Sequence, residues 1–101
     1  MFEIVELVRK GRDNPFSLSV NFDGQPVDFS SASSFELNVG GVSITAGIVG
    51  NSTGELTFNI QDEDVPIGTH IAELIVYDPG HLDGQVIVDK HSDKLLKIKF
   101  V

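Results

Sequence analysis

Four segments of this chain alternate apolar and polar residues with a period of two, the pattern of a strand with one face buried and the other in water. Phe16, Leu18, Val20 and Phe22 alternate with Ser17, Ser19 and Asn21. Phe35, Leu37 and Val39 alternate with Glu36 and Asn38, and Leu56, Phe58 and Ile60 alternate with Thr57 and Asn59. Leu96, Ile98 and Phe100 alternate with Lys97 and Lys99. Other runs are less regular. Residues Phe2 to Val8, interrupted by Glu3 and Glu6, fit an opening strand that changes its facing at a bulge. Val42 to Ala46 reads as a return strand after Gly40-Gly41, whose glycines can take the positive φ of a tight hairpin. His70 to Tyr77 carries apolar groups on both parities, as expected of a central strand buried on both faces. Val86 to Val88 completes a set of about eight strands.

Turn formers separate these runs: Asp23-Gly24-Gln25-Pro26, Asn51-Ser52-Thr53-Gly54, Val65-Pro66-Ile67-Gly68 and Asp78-Pro79-Gly80. The one place for a helical turn is Ser30 to Ser34, where serines can cap a short connector. The expected fold is therefore all-β, an antiparallel immunoglobulin-like β-sandwich, with residues 1–101 forming one domain around one core. The Cys and Trp that pin antibody domains are absent, which excludes close kinship with antibodies but not the architecture.

With no cysteine, the chain has no disulfide, thiolate nucleophile or thiolate metal site, and its stability must come from packing. No apolar run approaches the roughly 18 residues that span a bilayer, and Met1-Phe2-Glu3-Ile4-Val5-Glu6 lacks the layout of a signal peptide. Synthesis in the cytoplasm and no membrane partner are the expectations. The formal charge of −8 argues against nucleic acid, whose binding needs cations to displace condensed counterions.

That charge is unevenly distributed. The basic residues are Arg9, Lys10 and Arg12 near the start and Lys90, Lys94, Lys97 and Lys99 near the finish, whereas twelve of the fifteen carboxylates lie from Asp13 to Asp89. If the terminal strands are neighbours in space, as the ends of compact domains often are, the domain has a basic region and a larger acidic one, and can attract its own copies. Arg9, Lys10, Arg12, Lys97 and Lys99 are the candidate interaction residues.

Catalytic and metal patterns are missing. No Gly-x-Ser-x-Gly segment is present, and the glycines lack the Lys-Ser/Thr of a phosphate loop. His70, His81 and His91 sit in or beside loops without the spacing of a zinc motif. Asp62-Glu63-Asp64 and the group Asp78, Asp83 and Asp89 can present oxygens to calcium, making Asp62, Asp64, Asp78 and Asp83 the candidate ligands, but the alternating calcium-loop pattern is absent. The competing reading is that these aspartates bond their own turns. Asn51-Ser52-Thr53 matches a glycosylation sequon and equally a polar turn. Tyr77 reads as either a surface contact or, in preference, a core residue with its hydroxyl at the rim. Phe16, Phe22, Phe35, Phe58 and Phe100 fall on apolar faces and are assigned to the core.

Gly24 to Ala32 follows a pattern G-x-P-V-D-L-S/T-x-A with Phe29 in place of Leu, and Gly68 to Leu74 follows G-x-Y/H-x-A-x-L/F. In these segments the chain resembles small β-sandwich domains of phage and prophage structural proteins, in particular the N-terminal domain of phage baseplate upper proteins. The resemblance implies a virion component made in the host cytoplasm, a tail, baseplate or neck protein that self-associates or docks on other virion proteins. It implies no cofactor. Because the chain stops after its last strand, any receptor-binding region would lie on another polypeptide. The expectation is thus a non-enzymatic assembly module without a small-molecule substrate. The alternative is a carbohydrate- or receptor-binding sandwich, which needs exposed aromatics, and the third reading is a metal-dependent enzyme.

Overall fold

The computed structural model describes residues 2–22, 24–60, 64–91 and 94–101. They form β1 (Phe2–Val8), β2 (Pro15–Ser19), β3 (Asn21–Phe22), β4 (Gln25–Pro26), β5 (Ser34–Val39), β6 (Val42–Ile44), β7 (Ile48–Gly50), β8 (Glu55–Asn59), β9 (Gly68–Ile71), β10 (Glu73–Asp78), β11 (His81–Val88) and β12 (Lys94–Phe100). The chain is all-β, with no helix among the described residues. The strands make three sheets, ordered β1-β12-β9, β11-β10-β5-β6 and β2-β8-β7, and a small β3-β4 hairpin.

Among the described residues, twelve strands stand in place of the expected eight, because several apolar runs are divided between partners. The run from Phe16 to Phe22 breaks at Val20: β2 pairs with β8, whereas β3 pairs with β4. At the break, Val20 N–H donates to Gly54 O at 2.7 Å and Val20 O accepts from Val27 N–H at 3.1 Å. The pairing is not wholly antiparallel either, since β1 runs parallel to β12 in an unbroken register from Phe2↔Lys94 to Val8↔Phe100. That register leaves no bulge in β1. Its apolar residues fall on both parities because Val5 and Leu7 face solvent, 58% and 41% exposed, while Val8 is buried.

Residues 68–77 likewise alternate outward and inward rather than being buried on both faces. Thr69 and Ile71 are exposed and Glu73, Ile75 and Tyr77 half-buried, while Ala72, Leu74 and Val76 are buried. This segment serves two sheets. Its first part pairs with β12, and its second lies between β5 and β11. β11 begins at His81, well before Val86, because Asp78 and His81 already face each other across the turn. Ser30 to Ser34 forms a turn in place of the helical connector, with Ala32 N–H donating to Phe29 O at 3.1 Å, and Ser34 opens β5. Gly40 and Gly41, at φ of 58° and 79°, close the β5-β6 hairpin as their sequence predicts, with Val39 opposite Val42.

The inward faces of all three sheets share one hydrophobic core. Phe35, Phe58 and Phe100 are buried in it, Phe16 is half-buried and stacks on Phe58 at 4.7 Å, and the side chain of Phe22 lies outside the described residues. Phe29 is an additional core member, set edge-on to Phe35 at 5.7 Å. A Cβ at Gly50 would come 2.7 Å from Phe35 Cζ and 2.8 Å from Phe29 Cβ. A bare backbone at Gly50 therefore lets β5 close over β7.

Candidate interaction surface

Pairing β1 parallel with β12 brings the basic residues of both chain ends to one sheet. The ladder continues past the strands, with Val101 N–H donating to Val8 O at 2.9 Å and Lys10 N–H to Val101 O at 3.1 Å. Arg9, Lys10 and Arg12 thus leave β1 where β12 finishes. On β12, Leu96, Ile98 and Phe100 point into the core, and Lys97 and Lys99 take the outward side. Lys97 stands level with Val5 and Ile71, and Lys99 level with Leu7 and Thr69. The outward face of this sheet is therefore cationic and apolar together, with Ile71 46% exposed.

The loop carrying the other three cations is held by Asn14, which is 7% exposed. Its Oδ1 accepts from Arg9 N–H at 2.8 Å, and its Nδ2 donates to Ile60 O at 2.7 Å, Arg12 O at 2.8 Å and Arg9 O at 2.9 Å. Asn14 N–H also donates to Asn59 Oδ1 at 3.2 Å. One buried amide thus fixes both ends of the basic loop and anchors it to the end of β8. Sequence reasoning missed Asn14 because Asn-Pro reads only as a turn signal. Within the loop, the Lys10 ammonium is directed inward, donating to Val65 O at 3.0 Å.

The outward face of β5 and β10 has the opposite character. Tyr77 Oη donates to Glu36 Oε1 at 2.6 Å, Ser43 Oγ donates to Glu36 Oε2 at 2.9 Å, and Asn38 Nδ2 donates to Glu73 Oε1 at 3.1 Å. Tyr77 is therefore not a core residue: it is half-buried on the outer sheet face, its ring lying across Gly84 of β11, where an added Cβ would sit 2.8 Å from Tyr77 Cε1. The hydrogen bond from Tyr77, then that from Ser43, lowers the Glu36 pKa. Tyr77 is raised, first by its bond to Glu36.

These shifts fix the sign of a pH effect. A depressed carboxylate pKa contributes stability above its unfolded value that is lost as pH falls through the folded one, and a raised phenol pKa contributes below its unfolded value and is lost as pH rises through the folded one. Tyr77→Phe should therefore raise the Glu36 pKa towards the ordinary carboxylate range in a side-chain NMR titration, with Ser43 still holding part of the depression. The stability difference between wild type and variant, read from urea midpoints, should be largest near neutrality and shrink on both the acid and alkaline flanks.

The described calcium candidates form no metal-binding group. Asp78 Oδ1 accepts from Gly80 N–H at 2.8 Å and lies 2.9 Å from His81 Nδ1, contacts that lower its pKa, with His81 the larger cause. Asp83 is exposed on β11, Asp64 is exposed ahead of Val65, and Asp62 lies outside the described residues. No three His, Asp or Glu among the described residues converge as a metal-binding group. Asp28 and Asp89 each accept from a backbone N–H two residues on, Ser30 and His91, as turn-forming aspartates do. Asn51 Oδ1 accepts from Thr53 N–H, Thr53 Oγ1 and Glu55 N–H, so the sequon residue organises its own turn.

Two histidines lie in strands, His81 directly after a turn. His70 is half-buried in β9, its Nε2 2.8 Å from Pro66 O and its ring edge-on to Phe100 at 6.1 Å, and His81 opens β11. An apolar cleft of about 240 Å³ lies between the end of β2 and β11-β12, lined by Leu18, Val20, Ile87, Val88 and Leu96, with Lys94 also present. Its lining contains no carboxylate or imidazole among the described residues. No helix among the described residues is long and apolar enough to cross a membrane. No family model, curated protein or solved structure matches the chain.

Proposed function

We propose that this chain is a non-enzymatic assembly module, a tail, baseplate or neck component of a phage or prophage particle that resides in the virion and binds copies of itself or neighbouring virion proteins. The observation that carries the reading is the separation of charge over the outer sheet surface: Lys97 and Lys99 beside exposed Val5, Leu7 and Ile71 on one sheet, and Glu36 and Glu73 on the next. Opposite charges on distinct patches give register and orientation to a protein–protein contact. In fold terms we read the sheets as an immunoglobulin-like sandwich closed by one parallel pair, a reading supported by their single shared core. A glycan-binding face has less support, resting on the half-buried ring of Tyr77.

Light scattering on a size-exclusion column across a salt series tests the assembly reading. The mass at low salt should exceed the 10.9 kDa of one chain and fall towards it as added salt screens the charged patches. A mass of 10.9 kDa at every salt and protein concentration removes self-assembly. Tail genes flanking the coding sequence are the expected genomic setting.

A further inference from the structure

We infer that two copies of this chain pair face to face across a twofold axis, through the outward surface of residues 69–77, with Lys97 and Lys99 of each copy against Glu36 and Glu73 of the other. The inference rests on the assembly reading and specifies which surface carries it.

Thr69, Ile71, Glu73, Ile75 and Tyr77 form one outward row along the segment shared by two sheets. Nine residues of strand extend about 27 Å. At one end, Lys97 stands opposite Ile71 and Lys99 opposite Thr69. At the other, Asn38 stands opposite Glu73 and Glu36 opposite Ile75. The two charged groups also lie on opposite sides of the row. Ala72 N–H reaches Leu96 O of β12, whereas Tyr77 O accepts from Ser33 N–H just ahead of β5. Residues of different parity in a strand direct their backbone groups to opposite sides. The lysines and Glu36 therefore occupy diagonal corners with Glu73 on the row between them, and strand spacing puts Lys97 about 16 Å from Glu36.

An isologous contact requires a surface that complements itself under a half-turn. An axis near Ala72, midway between the lysines and the carboxylates, that crosses the two rows steeply, as in orthogonal sheet packing, lays Lys97 and Lys99 of each copy on Glu73 and Glu36 of the other. Exposed Ile71 lies between the charges, and exposed Val5, Leu7 and Val86 flank them to extend the apolar contact. The acceptors are already oriented, Glu36 by Tyr77 and Ser43 and Glu73 by Asn38, which reduces the ordering needed on binding. Lys10, whose ammonium is held by Val65 O, is not assigned to the contact. A footprint of about 27 Å by about 19 Å gives about 500 Å² per copy, the lower range for specific pairs. The dimer should therefore be weak and salt-sensitive.

Sedimentation equilibrium of the full chain at low salt tests this with Lys97→Glu/Lys99→Glu and Glu36→Lys/Glu73→Lys. Each variant should self-associate at least about tenfold more weakly than wild type, and an equimolar mixture should recover wild-type association, because an all-acidic face then meets an all-basic one. Thermal melts by circular dichroism check that both variants fold. If either variant dimerises like wild type, or the mixture fails to recover, the pairing is overturned while self-assembly through another surface stands. A wild type that is monomeric throughout overturns both. In the unmodified chain, amide NMR shifts that depend on concentration should map to 69–77 and 94–100, and shifts confined to β2-β8-β7 would also overturn the pairing.

Discussion

Asn14→Leu should lower stability by about 3 kcal/mol and the melting temperature by about 10–20 °C, with little change in the strand signal of the folded state. Leucine fills a similar volume but cannot hydrogen-bond. It leaves Ile60 O buried without the donor it receives from Asn14, and strips Arg9 N–H, Arg9 O and Arg12 O of the same partner. A buried group left unsatisfied costs about 1–3 kcal/mol, and the more accessible loop groups recover part of their loss from water. Asn14→Asp is a sharper version. It keeps the acceptor for Arg9 N–H but turns a carboxylate oxygen towards three carbonyls, so the loss should be at least as large at neutral pH and should ease in acid as the carboxyl protonates. Urea denaturation followed by circular dichroism measures both.

Gly54→Ala should cost about 3 kcal/mol or more, against about 1 kcal/mol for Gly41→Ala. Both glycines have φ near +80°. Around Gly41 there is no atom within 4 Å of an added Cβ, so only backbone strain is felt. At Gly54 the same methyl would sit 2.5 Å from Val20 O and 3.0 Å from Val27 N, the atoms that bond to each other where β2 gives way to the β3-β4 hairpin. The difference in urea midpoint between the two variants separates close approach from strain. Equal losses would mean that the hairpin moves aside at little cost.

Both positions show where local sequence stops being informative. Strands with one clean alternating face, such as 35–39, 56–60 and 96–100, were legible because a single buried face imposes the period. Segments 2–8 and 70–77 misled because their outward faces also carry aliphatic residues, Val5 and Leu7 in one and Ile71 and Ile75 in the other. The start of β11 was hidden by the polar composition of His81 to Gln85, and the parallel partner of β1 lies more than ninety residues away, beyond any local signal. Candidate-site legibility divides similarly. Lys97 and Lys99 could be placed outward from alternation alone. The bonding of Glu36 with Tyr77 depends on the register between β5 and β10, and the role of Asn14 depends on where β8 ends. The segment Gly24 to Ala32 proved to be the short strand β4, a turn and a core residue: Phe29 N–H donates to Asn51 O at 2.9 Å, its side chain is buried, and its Cβ packs close to Gly50.

The parallel register of β1 and β12 also sets how the domain bears force. Tension applied at residue 2 and residue 100 pulls the two strands in opposite directions along their common axis, because β1 begins at one end of the ladder and β12 finishes at the other. The load falls in shear on all seven register positions together instead of peeling them one at a time. A chain joined to neighbours through its termini would thus transmit traction along the strands with the core still closed, an arrangement suited to a link that must carry strain without opening.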